Sequence, residues 1–446
     1  MKVHHPLLLL LGAVLAAAAL TWMLPAGQFE RRDDAATGRR VVVAGTYHRV
    51  DRSPVGLFGA AVSLSRGFVA AADVIAVVLF VGGAWVVVDE LGALRRVIGD
   101  LTGALGGGGI MAIPIVSAAF AAFGALENMQ EEIIPLVPAL LVLGGAIGVE
   151  PVVVVAMSAG AAMMGSAFGP TNPFQAGIAL KLAQVPPLAS AGLRVALFLA
   201  AVGAWIAWTL WYALNHRQPA VTVGTAAGPT SALGAGRARL ALAIAVAPMA
   251  AYVYGVMRYD WGFNELAGAF FLGGCAAGLV AGGSVARVLT LYVQGMQALI
   301  PAAFMVGVAR SISVVLDDGR VVDTILNTFA NVLGRMPGAV PAFLMIPFHA
   351  MLHVVVPSVS GQAVVTMPIM TPLADLLHLP RLVAVLAYET GAGLMEFLTP
   401  TNGALMGVLL AAGVPFSKWV RFAVVAVLVA AALSCGAILV LVTAAG

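Results

Sequence analysis

Twice in this chain, 230 positions apart, a proline followed by threonine and asparagine interrupts a long apolar run: Gly169-Pro170-Thr171-Asn172-Pro173 and Thr399-Pro400-Thr401-Asn402-Gly403. Proline donates no helical hydrogen bond, so each copy leaves backbone groups in need of partners. The surrounding runs place that need in a membrane. Of 446 residues, 61% are hydrophobic and 10% charged, with a mean hydropathy of +1.01, more apolar surface than a soluble fold of this length can bury. Several segments approach the ~20 residues that cross a ~30 Å hydrocarbon core as a helix. None shows the period-two alternation of a barrel strand. The chain reads as an all-α polytopic membrane protein, and its 51 glycines and 24 prolines imply that some helices are broken. The net charge of +3 carries no nucleic-acid footprint, and Cys275 and Cys435 lie in apolar runs as small hydrophobes.

In chain order, the run 6–25 lacks a small-x-small cleavage site and reads as the first transmembrane helix. A charged loop, 26–54, with a short Val41-Val42-Val43 run, suggests an extended hairpin in water. An interfacial segment, 55–68, then leads to helix two at 71–88, with Asp73 near its start reading as interfacial. Residues 106–148 form two apolar arms around a polar tip, 127–132. Such a tip is too costly to face lipid, so it marks a re-entrant hairpin. The first broken helix covers 150–183, and helix four, 189–214, carries Trp205, Trp208, Trp211 and Tyr212 as an aromatic belt. A Gly/Ala/Pro/Thr-rich linker, 215–238, separates the halves, and helix five falls within 239–258. Helix six at 267–281, an interfacial piece and helix seven at 299–316 follow. A second two-armed hairpin at 337–377, a second broken helix at 382–412 and helix nine at 419–442 close the chain.

A shift of 230 positions aligns the tip 127–132 with 357–362, Pro138 with Pro368, the two Pro-Thr-Asn motifs, and Gly177 with Gly407. The halves are 1–214 and 259–446. Each has four crossings plus a hairpin that contributes zero or two, and helix five adds one crossing between them. The halves therefore enter from opposite sides as inverted repeats, giving about nine transmembrane helices, two re-entrant hairpins and two discontinuous helices. Arg and Lys occur on both sides of any such arrangement, and an inside N-terminus is the favoured orientation.

Paired breaks and tips of this kind are the sequence signature of a transporter's midplane site. Thr171, Asn172, Thr401, Asn402, Ser358, Ser360, Gly361 and Gln130 are the candidate substrate ligands, with Arg310 of helix seven placed to meet a carboxylate. Glu131, Glu132, Glu389 and Glu396 are acidic groups inside membrane segments, and so candidates to carry a coupling ion or proton. Oxygen ligands near Gly169, Asn172, Ser358, Thr399 and Asn402 would suit Na⁺. Each feature also has a plainer reading. Pro-Thr-Asn can simply kink a helix, and the glutamates and Arg310 can form structural ion pairs. Ser360 with His349 and His353 loosely suits an intramembrane serine hydrolase, and the two histidines have metal-ligand spacing, but neither explains a duplicated break. A channel for small anions is the other alternative.

Residues 127–177, RSISVVLDDG from Arg310, PSVSGQAVVTMPIMTPLADLL from Pro357, FLTPTNGA from Phe397 and the early GTYHRV from Gly45 resemble the C4-dicarboxylate anaerobic carrier family, which includes members named as basic amino-acid antiporters. More distantly the chain is similar to the sodium–dicarboxylate symporters and aminobenzoyl-glutamate exporters of the ion transporter superfamily. The resemblance implies homodimers in which a static scaffold carries a mobile transport domain, working as an elevator in a bacterial inner membrane. By analogy the tips and the Pro-Thr-Asn breaks form the transport-domain site. The chain departs from the symporters' Ser-Asn-Thr tips, with Gln130-Glu131-Glu132 in the first and Ser358-Val359-Ser360 in the second. Adjacent carboxylates repel a dianion unless protonated, which favours proton coupling or an amino-acid-like substrate. The expectation is a secondary active transporter, not an enzyme, that moves a small carboxylate-bearing solute, C4-dicarboxylate or amino acid, using Na⁺ or H⁺ and no other cofactor.

Overall fold

The computed structural model describes residues 6–34, 39–93, 96, 106–170, 172–219, 233–259, 261–336 and 340–445. These residues are helical apart from short loops and two small antiparallel ladders, Gly27–Gln28 with His48–Arg49 and Arg31–Asp34 with Arg39–Val42, which realise the hairpin expected after the first helix. Seven helices are long and apolar enough to cross a membrane among the described residues. The expected nine differ in kind as well as number. The seven include the first hairpin's leading arm but not Ala235–Tyr259, which covers the expected helix five, and Leu7–Met23 and each half of the second broken helix are shorter than that set requires.

Two groups of helices pack within themselves. Helices Leu57–Ala70, Ala72–Glu90, Ala235–Tyr259, Phe263–Val280 and Val285–Asp318 form one bundle, with Pro6–Met23 against the last of them. The other group contains both hairpins, both broken helices, Ala191–Asn215 and Phe416–Ala445. The groups meet where Val285–Asp318 packs on Gly403–Ala411 and where Ala72–Glu90 packs on the 3₁₀ stretch Glu131–Leu136.

One correction concerns the expected interfacial piece before helix seven. Val285–Asp318 is a single 34-residue helix, about 51 Å long at 1.5 Å per residue. It continues through Pro301, which removes only one backbone bond. Its buried face, including Tyr292, Gly295 and Leu299, lies against Gly82 and Gly83 of the neighbouring helix, and that packing holds both halves on one axis. An unforeseen amphipathic helix, Val322–Leu333, then leads to the second hairpin.

The hairpins have the expected two arms: Ala112–Glu127 with Val137–Ile147, and Val340–Val355 with Val359–Leu376. Close backbone approach seats the first on its broken helix. A Cβ at Gly124 would lie 1.9 Å from the carbonyl oxygen of Ala162, and one at Gly165 would lie 2.0 Å from that of Ala121. The first broken helix runs from Pro151 to Phe168 with a π-helical turn at Ala156–Gly160, stops, and resumes as Ala176–Leu182. The second runs Arg381–Met395 and resumes as Gly403–Ala411.

The aromatic belt also needs correction. Trp205 is fully buried, with its ring against Phe397 and its Nε1 donating to the Ala156 carbonyl at 2.9 Å. Trp208 donates to Phe422 O, and Trp419 to Phe397 O at 2.8 Å. A π turn and a helix end both leave carbonyls without their usual partners. Indole N–H groups answer that need at Ala156 and at Phe397, which is why these rings are buried; Trp211 is exposed.

Candidate functional site

Where the two groups of helices meet they enclose a cavity of about 360 Å³. The first hairpin contributes Asn128, Gln130, Glu131 and Glu132, and the second contributes Pro357, Ser358, Val359 and Ser360. The second break supplies Glu396, Thr401, Asn402 and Gly403, the long helix supplies Arg310 and Ser313, and Asp73, Tyr252, Phe263 and Phe174 complete much of the wall. Nine candidate residues thus share one space: Gln130, Glu131, Glu132, Arg310, Ser358, Ser360, Glu396, Thr401 and Asn402. Asp73, read from sequence as interfacial, is on the wall too. An acid at the junction of an amphipathic and a fully apolar helix was the available signal.

Local chemistry explains how each wall is held. Ser358 caps the helix Val359–Leu376, its Oγ accepting from Gly361 N at 3.2 Å, so Gly361 stands behind the wall rather than in it. Asn402 caps Gly403–Ala411, its Oδ1 accepting from Leu405 N at 3.0 Å. Two helix N-termini, each with its partial positive charge, therefore abut the cavity. Asn128 ends the first arm in the left-handed region at φ 59°, a conformation that asparagine tolerates better than most residues, and this turns the chain into the tip. Thr401 Oγ1 pairs with Thr399 Oγ1 at 2.7 Å. Arg310 makes no side-chain hydrogen bond or ion pair among the described residues.

The first break is placed differently. Asn172 is fully buried and does not line the cavity. Its Nδ2 donates to Gly124 O at 3.0 Å and approaches Ser166 Oγ at 3.2 Å, while its Oδ1 accepts from Phe174 N and Gln175 N, both at 2.9 Å. Ser166 in turn donates to Asn128 Oδ1. Thr171 lies outside the described residues. Glu389 is likewise away from the cavity, buried with its Oε1 3.8 Å from Arg194 Nη2. Arg194 donates to the carbonyls of Pro187, at 2.9 Å, and of Pro170, at 2.8 Å. Arg194 thus supplies the donor that a carbonyl in the broken segment needs, a role not read from sequence because nothing local links positions 170, 194 and 389.

Of the positions named for Na⁺, only Ser358 and Asn402 line the cavity; Gly169, Asn172 and Thr399 do not. Among the described residues no group of three or more His, Cys, Asp or Glu side chains is arranged to hold a metal ion. His349 and His353 both pair with Gln362, and neither hydrogen-bonds Ser360 among the described residues, so the serine–histidine geometry of a hydrolase is not assembled.

Residues 4–444 match the family model described as C4-dicarboxylate anaerobic carrier. An Escherichia coli protein named "Putative basic amino acid antiporter YfcC" is 28% identical over 456 residues, covering 92% of this chain and 90% of its own. A Haemophilus influenzae protein without an assigned function is 28% identical over 405 residues, 86% of this chain and 78% of its own. Among solved structures, the YdaH transporter of Alcanivorax borkumensis is 16% identical, covers 99% of this chain and 98% of its own, and superposes with a TM-score of 0.43. MtrF of Neisseria gonorrhoeae, described with a class of antimetabolite efflux pumps, is 17% identical with coverages of 97% and 95% and a TM-score of 0.42.

Proposed function

The chain belongs to the C4-dicarboxylate anaerobic carrier family, a family of membrane transporters, and on that premise we propose that it is a secondary active transporter for a small solute bearing a carboxylate and a cationic group. One observation carries the reading: the cavity lining combines groups that suit an anion with groups that suit a cation. Arg310 and the N-termini of Val359–Leu376 and Gly403–Ala411 suit a carboxylate, and Ser358, Ser360 and Thr401 add hydroxyls. Glu131, Glu132, Glu396 and Asp73 suit an ammonium or guanidinium. A C4-dicarboxylate satisfies only the first set and is repelled by the second; an amino acid satisfies both. The relative named as a basic amino acid antiporter supports the same choice.

The coupling ion in this reading is a proton, since carboxylates crowd the cavity. Transport follows from inverted halves, 1–214 and 259–446, joined by the linker 215–238 and the helix within 239–258. The bundle around Val285–Asp318 is the scaffold, and the group carrying hairpins and breaks moves against it as an elevator. Support comes from the way helices pack within each group and from the position of the cavity between them. The protein works as a homodimer in a bacterial inner membrane. The test is uptake into proteoliposomes, with pH and Na⁺ gradients imposed separately, of C4-dicarboxylates and of acidic, neutral and basic amino acids. The expected result is amino-acid uptake driven by counter-substrate or a pH gradient. Uptake of none of them under any gradient overturns the proposal, and uptake restricted to dicarboxylates overturns the choice of solute.

A further inference from the structure

Outside the cavity lining, the second hairpin carries a buried polar chain, His349, Gln362 and His353, that the transport site leaves unexplained. Gln362 Nε2 lies 2.9 Å from the backbone carbonyl of His349. A carbonyl only accepts, so the amide orientation is settled and Gln362 Oε1 faces His353 Nδ1 at 2.9 Å. That contact needs a proton on Nδ1. The other ring nitrogen of His353, Nε2, then carries a lone pair, has no hydrogen-bond partner among the described residues, and faces Glu396 Oε1 at 3.7 Å. Both side chains are nearly inaccessible, at 1% and 7% exposure. A carboxylate and a bare imidazole nitrogen facing each other in a dry interior are two acceptors with no donor. One proton resolves the conflict as a carboxylic acid on Glu396 directed at the imidazole nitrogen, which keeps both groups neutral in the dry interior.

We infer that Glu396 and His353 form a binding site for a single proton, with Gln362 fixing the imidazole tautomer and Gln130 linking the site to the cavity. Gln130 Nε2 donates to Glu396 Oε2, and Asn402 Nδ2 approaches Gln130 Oε1 at 3.4 Å, so the first tip and the second break, which both line the cavity, are joined at this carboxyl. Several charged or titratable groups adjoin the pair or line the cavity that Glu396 reaches. Glu131 comes from the first tip, close enough to act electrostatically on Glu396, with Glu132 beside it. Asp73 comes from Ala72–Glu90 and Arg310 from Val285–Asp318, while His349 sits one turn from His353 on the same arm. The acids favour holding the proton, and Arg310 opposes it. A cationic group entering the cavity therefore favours proton release, and by linkage protonation weakens its binding by the same factor. This links solute and proton as exchange. The inference rests on the transport reading for its role, but the proton site itself does not.

Infrared difference spectroscopy of the purified protein across a pH jump tests the site without transport. The expected result is a buried protonated-carboxyl C=O band that is absent in Glu396→Gln and shifted in His353→Gln. Should Glu396→Gln fail to fold, Glu396→Asp keeps the carboxyl and shifts the band instead. In proteoliposomes, the ratio of uptake with and without an imposed pH gradient falls to unity in His353→Gln. A band that survives Glu396→Gln, or that His353→Gln leaves in place, overturns the proton site. A wild type that shows the band but moves no solute retains the site and removes the transport reading.

Discussion

The two Pro-Thr-Asn breaks share a motif and a helical context but not a surrounding. Around the first, Asn172 is closed off among Gly124, Ser166, Phe174 and Gln175, and Arg194 satisfies the Pro170 carbonyl. Around the second, Asn402 and Thr401 face the cavity, and two of the Asn402 Nδ2 contacts, to Gln130 Oε1 and the Glu396 carbonyl, are long at 3.4 Å. A duplicated motif has thus become one structural joint and one open wall. The comparison teaches that a break in a membrane helix is not a site by itself. It becomes one where its freed groups are not already matched within the protein.

That contrast can be broken by substitution, and the largest expected effect comes from the open copy. Asn402→Ala removes a helix cap, which costs about 1 kcal/mol of stability, yet abolishes uptake in proteoliposomes while the protein still elutes as a folded species. Full activity in that variant removes the second break from the site. At the closed copy the expected loss is in stability. Arg194→Ala leaves Glu389 as a buried carboxylate without its partner and costs about 3–5 kcal/mol, read as a large fall in the midpoint of thermal unfolding in detergent. An unchanged midpoint means that Arg194 does not hold the broken segment in place. Asn172→Ala costs about 1–3 kcal/mol by orphaning buried amides, with uptake per folded molecule retained; selective loss of uptake would make the two breaks equivalent after all.

Gly124→Ala presses a methyl group onto the Ala162 carbonyl and costs about 1–3 kcal/mol. The smallest effect belongs to a surface pair at the outer end of the second hairpin, where Arg381 binds both oxygens of Asp375 at 2.8 Å. The hydrogen bonds from Arg381 hold the Asp375 carboxyl below its usual range. A carboxyl with a lowered folded value stabilises the protein above its ordinary value and loses that contribution as the pH falls through the lowered one. With both side chains substantially exposed, Arg381→Ala costs about 0–1 kcal/mol near neutral pH and nothing in strong acid. Melting curves at the two pH values check the difference.

Much of the architecture was legible before any coordinates. The hairpin arms and the two interruptions follow from apolar runs, prolines and polar tips, because hydrocarbon forces backbone groups to pair within a helix or against a neighbour, whereas most of the linker expected at 215–238 lies outside the described residues. Gln130, Glu131, Ser358, Ser360, Thr401 and Asn402 line one cavity, whereas Asn172 and Gly361, the repeat partners of Asn402 and Glu131, do not. Less legible were the continuous Val285–Asp318 helix and the buried indoles, where packing against glycine-lined neighbours and freed carbonyls outweighed local composition.

What the sequence alone determined is therefore a multi-pass helical protein with two related interruptions, since hydropathy, proline and spacing act along the chain. Only the tertiary structure decided that Asn402 meets the cavity while Asn172 is enclosed, that Glu389 pairs with Arg194, and that Glu396 faces His353. These are relations between positions far apart in the chain. Whether a buried amide or carboxyl is a ligand or a strut depends on which partners reach it, and that is fixed by helix packing, to which no local pattern is sensitive.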